Sequence, residues 1–220
     1  MVEAVIFDLD GLLVDSEQVW DDERQQFVLD SGGTWHPGAQ RDMMGMSSTE
    51  WSRYVRERLG VDQTPERIID QIVERVIRSY RNRLPLLPGA REAVHRLAGR
   101  WPLGLASSSN REVIDLVLEV SGLEPCFAAT VSSEEVGAGK PAPDVYLETA
   151  RMLGVEPGSC AAIEDSHNGI RSARAAGMAV VAIPNREFPP DAGALELADS
   201  VIESLDELTP ELVESSAQPR

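Results

Sequence analysis

The chain predicts an α/β fold: a parallel sheet with helices on both faces, interrupted near its start by an all-α insertion. Three observations carry this. Short, continuous apolar runs recur at 5–7, 102–106, 127–131, 160–163 and 178–183, as expected of strands buried on both faces. Helical stretches at 110–120, 143–153 and 166–176 separate the later runs, and such alternation builds right-handed βαβ units. Residues 16–82 contain no defensible strand.

The elements follow in order. Val5-Ile6-Phe7 reads as the first strand, with Asp8 and Asp10 at its carboxyl end and Gly11 after them. Ser16 is a candidate N-cap for a helix to Leu29, stopped by Ser31-Gly32-Gly33. Thr34 to Gly45, with His36-Pro37-Gly38, reads as irregular, and Ser48 to Leu59 as a helix. Thr64-Pro65 opens a third helix in the favoured cap-then-proline order. Its Ile68, Ile69, Ile72, Val73, Val76, Ile77 and Tyr80 form one stripe at helical spacing. From Leu84 strands and helices alternate, with Gly177 closing the helix that starts near Ser166. Short helices at 191–197 and 205–213 finish the chain, and 215–220 reads as a frayed tail. The predicted units are a core of 1–15 and 83–220 and a helical unit of 16–82.

Composition narrows the function. The 220 residues carry a formal net charge of −17, which opposes the basic field of a nucleic-acid binder and attraction to anionic lipid. No apolar run approaches the ~20 residues of a membrane span, and because the chain enters a strand at once no leader peptide is expected. Cys126 and Cys160 lie far apart and are expected to be reduced core residues, so a cytoplasmic location is the default. A monomer without nucleic-acid or membrane partners is expected. Of the 20 basic residues only Lys140 is a lysine. That exception marks a position suited to a compact ammonium rather than a planar guanidinium.

Polar residues follow each core strand. Asp8 and Asp10, two apart at a strand end, point the same way and repel unless a cation lies near; a hard divalent ion such as Mg2+ meets that need. A solvated loop is the bland alternative. Ser107-Ser108-Ser109-Asn110 either caps the next helix or binds phosphate oxygens, with Arg111 as a further contact. Gly137 to Pro143 is a stiff loop holding Lys140; a surface turn is the alternative. Glu164-Asp165 either favours a helix dipole or adds carboxylates to a metal site.

Together DxDGLLVDSE, the strand-ending Ser107, GKPxPD and EDS before a helix resemble, in order, the motifs of the haloacid dehalogenase superfamily. The closest likeness is to its β-phosphoglucomutase-like branch with a helical cap, and within that to hexose-phosphate phosphatases of the 2-deoxyglucose-6-phosphate type. The resemblance covers essentially the whole chain and implies a Rossmann-like core, with 16–82 as the cap. It implies that Asp8 is the nucleophile and Asp10 the general acid/base, with Lys140 as a catalytic cation. Ser107, Ser108, Asn110 and Lys140 would bind the substrate phosphate. Mg2+ would be held by Asp8, Asp10 and Asp165, with Glu164 acting through a metal-bound water. Cap residues Trp20, Gly45, Ser47 and Ser48 would set specificity, with Arg41 and the 78–83 segment nearby. The partner is a small phosphorylated metabolite.

The expected activity is a Mg2+-dependent phosphatase forming an aspartyl-phosphate. Two alternatives stand beside it. A phosphosugar mutase is disfavoured because Trp20 stands where the mutase has a histidine, and Ser48 where its cap has an arginine. A non-catalytic phosphate-ligand binding protein would be expected to lack one of the acids or the lysine, and none is missing.

Overall fold

A computed structural model describes residues 1–43, 46–186 and 189–217. Its sheet has six strands, all parallel, in the order β3-β2-β1-β4-β5-β6. The strands are β1 (Ala4–Phe7), β2 (Leu103–Ser107), β3 (Phe127–Ser132), β4 (Cys160–Glu164), β5 (Ala179–Ala182) and β6 (Ser200–Val201). The last was not expected: it is two residues long with Val201 exposed, too short to leave a pattern.

Strand pleating splits the core. Val5 and Phe7 pack into one apolar cluster and Ala4 and Ile6 into another on the opposite face. The first cluster contains Val94 and Leu97 of α5 (Ala90–Ala98) and Val113, Ile114, Leu116, Val117 and Leu118 of α6 (Arg111–Ser121). The second contains Tyr146 and Ala150 of α7 (Asp144–Leu153) and Ile170 and Ala173 of α8 (His167–Ala175). Helices therefore cover both faces, which explains why the strands read as continuous rather than alternating apolar runs.

Between β1 and β2 the chain forms only helices: α1 (Glu17–Asp30), α2 (Ala39–Met43), α3 (Ser48–Arg58) and α4 (Pro65–Asn82). Thr64 caps α4, accepting from Arg67 N with Pro65 in the first turn, and the α4 stripe buries Ile68, Ile72, Val73, Val76 and Tyr80. α2 falls in the stretch expected to be irregular; one short turn after His36-Pro37-Gly38 carries no periodic signal. The terminal stretch splits into a 3-10 turn at Leu205–Glu207 and α10 (Pro210–Ser216), because Thr209-Pro210 restarts the helix. Ser215 and Ser216 therefore belong to a helix, not to a frayed tail. The short helix expected over 191–197 is α9 (Ala192–Leu195), capped by Asp191. No described helix is long and apolar enough to cross a membrane. Both cysteines are free, Cys160 buried and Cys126 only half-buried.

The strand order fixes where chemistry can occur. The chain adds β2 and β3 on one side of β1, then crosses to place β4 on the other. Open α/β sheets bind ligands at such a reversal, outside the carboxyl ends of the strands. Asp8 follows β1 and Asp165 follows β4 there.

Candidate active site

At this edge Asp8, Glu164 and Asp165, all buried, bring carboxylate oxygens within 4.8 Å of one another. Lys140 faces them: its Nζ donates to Asp8 Oδ1 at 2.5 Å and to Glu164 Oε1 at 2.6 Å. Tyr146 Oη donates to the same Glu164 oxygen at 2.7 Å. The other oxygen, Oε2, accepts from Asp165 N at 3.1 Å, Ser166 N at 3.3 Å and Ser166 Oγ at 3.2 Å. Both Glu164 oxygens are thus occupied, which makes Glu164 an anchor for Lys140 rather than a free ligand. Asp10 Oδ1 and Asp165 Oδ1 are buried with no hydrogen-bond partner.

Burial governs the titration. It pushes the Asp8 carboxyl up to about 8, against the opposing pull of Lys140, with Glu164 and Asp10 adding to the rise. Burial and then the charge of Asp8 also raise Asp165 well above the carboxylate range. One ammonium therefore does not keep this group of acids ionised at neutral pH. Buried orphan carboxylate oxygens and excess negative charge fit a hard divalent cation.

Two glycines permit the approach. Gly11 has φ +78°, and a Cβ there would lie 2.1 Å from Asp165 Oδ2. At Gly169, in the first turn of α8, a Cβ would lie 1.8 Å from Glu164 Oε1. Ser166 caps α8 by accepting from Gly169 N, so capping falls to Ser166 and leaves Asp165 free for the site.

The serine cluster after β2 differs from expectation. Ser107 Oγ accepts from Ser109 N and donates to Asp10 Oδ2 at 3.1 Å, and Ser109 Oγ donates to the same oxygen at 2.8 Å. Ser107 holds Asp10 instead of facing the cavity, whereas Ser108, Ser109 and Asn110 line it. Asn110 makes no side-chain cap to α6; its Nδ2 donates to Glu134 and its Oδ1 accepts from Ser48 Oγ at 3.3 Å, tying α3 to the core. Arg111 is turned away from the site, bonded to Glu135, Asp115 and Thr130.

The cavity, about 160 Å³, runs from Asp8, Asp10, Lys140 and Asp165 to Trp20, Met46, Ser48 and Trp51 on the helical side. Ser47 does not line it: its hydroxyl forms a capping box with Glu50 at the start of α3. Ser16 stands at the α1 cap position with helical backbone angles and caps nothing; its hydroxyl is buried, unpartnered and on the cavity wall. Gly45 lies outside the described residues. Arg41, Arg78, Arg81 and Arg83 are exposed and do not reach the cavity. His167 and Asn168 line its rim.

Sequence reasoning missed Tyr146, Ser109, Asn185, Glu17 and Arg24. Tyr146 passes for one more apolar position of α7. Ser109 sits in the run already singled out, and only its neighbourhood to Asp10 distinguishes it. Glu17 and Arg24 face the cavity from a helix crowded with charge.

Residues 2–177 match the family model of haloacid dehalogenase-like hydrolases. Hexitol phosphatase B of Escherichia coli (strain K12) is 36% identical over 212 residues, 94% of each chain. Among solved structures, CbbY of Rhodobacter sphaeroides, crystallised with phosphate, has a TM-score of 0.86 at 23% identity, covering 97% of this chain and 100% of that one. A β-phosphoglucomutase from Clostridium difficile has a TM-score of 0.82 at 23% identity, covering 99% and 97%. These two likenesses show the fold.

Proposed function

The chain belongs to the haloacid dehalogenase-like hydrolases, and from that premise we propose a Mg2+-dependent phosphatase that hydrolyses a small sugar or polyol phosphate through an aspartyl-phosphate at Asp8. That it is a phosphoric monoester hydrolase follows from the family and its phosphatase relatives. The observation that carries the finer reading is the Lys140 ammonium held between Asp8 and Glu164, beside the orphan oxygens of Asp10 and Asp165. The hexitol phosphatase relative supports the substrate class. We divide the chain accordingly into a core of 1–15 and 83–220 and a cap of 16–82, which excludes water from the site.

In this reading an Asp8 oxygen attacks phosphorus as the P–O ester bond breaks. Asp10, held by Ser107 and Ser109, gives its proton to the departing alkoxide. It then takes a proton from water, whose oxygen attacks phosphorus and displaces the Asp8 carboxylate, so that free phosphate leaves and Asp10 is protonated again. Lys140 positions Asp8 and supplies part of the positive charge that favours its ionised form, the cation supplying the rest. Asp8, Asp165 and the Asp10 backbone carbonyl would hold the cation, with Glu164 behind them. When bound, Mg2+ supplies positive charge that offsets the phosphoryl oxygens.

A panel of phosphate esters, scored for free phosphate with Mg2+ and again with excess chelator, tests the proposal. Release that requires Mg2+ is expected. Full activity in chelator, or no release from any ester, rejects it.

A further inference from the structure

Arg24 is a buried cation without a settled partner. The residue, 8% exposed, lines from α1 the same cavity that Lys140 lines from the core. The guanidinium carbon lies over both indole rings, 4.9 Å from the Trp20 ring centre and 5.1 Å from that of Trp51. Among the described residues it makes no ion pair, and its buried Nε has no hydrogen-bond partner. A buried donor left unpaired is costly, and a buried charge more so.

Beside it, Glu17 also lines the cavity, half-buried and braced by Gln40 Nε2 at 3.1 Å. Glu17, Asp21 and Asp10 all lie within electrostatic reach of Arg24. Three carboxyl groups around one guanidinium leave no net positive field for a second phosphate or carboxylate. They leave a donor beside an acceptor, the pattern that reads a hydroxyl group.

We propose that Arg24 is a specificity-determining residue that donates from its guanidinium edge to a hydroxyl oxygen at the distal, uncharged end of the substrate, with Glu17 accepting from the same end. This rests on the phosphatase reading and deepens it. A site built to hydrogen-bond a substrate hydroxyl discriminates strongly against analogues that lack it.

The test reads binding, so that it does not depend on turnover. Calorimetric affinities are measured with Mg2+ for the non-hydrolysable phosphonate analogue of a hexitol phosphate, for propylphosphonate and for a hexitol bisphosphonate. Wild type and Arg24→Met, which keeps the apolar stem, are compared, with thermal melts of both. The expected result is that wild type prefers the hexitol phosphonate to propylphosphonate and that Arg24→Met lowers this preference by roughly 10-fold or more. The melts separate lost recognition from lost contacts with Trp20 and Trp51. An unchanged preference, whatever the melting temperature, would make Arg24 a packing residue and overturn the proposal. So would binding of neither monophosphonate, or a wild-type preference for the bisphosphonate. If the preference shifts as expected while no ester releases phosphate, the phosphatase reading fails and the Arg24 assignment stands.

Discussion

The Lys140 ammonium lies 2.5 Å from the Asp8 carboxylate although 132 residues separate them in the chain. The contact forms because β1 ends beside β4 and the loop before α7 returns over both ends. It leaves Asp8 underneutralised, and a pH dependence follows. Burial raises Asp8 from its ordinary 3.8 to about 8. Between those values the folded metal-free protein holds a proton that the unfolded chain has lost, so this group's contribution to stability falls as pH rises towards about 8. Asp165 acts in the same direction. A divalent cation competes with those protons and binds better as pH rises. The increase in melting temperature given by a fixed Mg2+ concentration should therefore grow between about pH 5.5 and about pH 8. An increment that does not change with pH would contradict the coupling.

Tyr146→Phe removes one donor from Glu164 Oε1 and leaves the others in place. Losing a hydrogen bond to a charged group costs about 1.5–3 kcal/mol. The expected outcome is destabilisation of that order in denaturant melts, with turnover falling less than in Lys140 variants, since the hydroxyl lies 3.5 Å from Nζ and does not contact Asp8. Turnover falling as far as in Lys140→Met would place Tyr146 in the chemistry.

How much of this was legible follows from the kind of signal each residue leaves. Asp8, Asp10, Lys140 and Asp165 stand just past apolar strands or in a glycine- and proline-rich loop, where a polar residue has no packing reason to be. The sheet reads out for the same reason, and its missing strand, Ser200–Val201, is too short to show a pattern. Ser47 and Ser48 look alike in sequence, yet one caps α3 and the other bonds to Asn110. Only the helix start distinguishes them. Arg24 is one arginine on a charged helix, and nothing local says that Trp51, from α3, will meet Trp20 around it. Long-range convergence of this kind is what a single sequence hides.

Gly169→Ala tests the closeness of α8 to the site. The new methyl would meet the Glu164 carboxylate at 1.8 Å, and that carboxylate is pinned by five donors. Overpacking of this sort costs about 1–3 kcal/mol. The variant should melt lower and lose activity together, because moving Glu164 also moves Lys140. Full activity in a fully stable variant would mean that α8 can shift freely.

Phosphatase and mutase chemistry separate on one substrate. Trp20 occupies the cavity wall where the mutase has a histidine, and Ser48 is bonded to Asn110 rather than presenting a cation to a second phosphate. With β-glucose 1-phosphate and a bisphosphate activator, phosphate release should exceed glucose 6-phosphate formation. Predominant isomerisation would favour the mutase.

Lys140→Arg keeps the charge at the chain's sole lysine and changes only its shape. The ammonium is a point donor with Asp8 at 2.5 Å, Glu164 at 2.6 Å and Tyr146 Oη at 3.5 Å, and its side chain is 5% exposed. A guanidinium presents a wide planar fork, which cannot direct donors from one point to acceptors just past β1, at the end of β4 and on α7. The Tyr146 ring, whose centre lies 5.0 Å from Nζ, bounds one side of the space for a larger head group. Misplacing a reacting group by about 1 Å can cost about 100-fold, and losing one preorganised electrostatic partner roughly 100- to 1,000-fold. Turnover on the best ester should therefore fall by about 100-fold or more. Overpacking should lower stability by about 1–3 kcal/mol. Lys140→Met removes the charge at nearly the same volume, so Asp8 and Glu164 face each other without a cation, and the Asp8 carboxyl should rise further. Its melting temperature should then recover on acidification, which protonates the acids, whereas that of Lys140→Arg should not. Turnover, together with melts at two pH values for both variants, decides the matter. Wild-type turnover in Lys140→Arg would show that any cation suffices at this position and that the lone lysine has no special role.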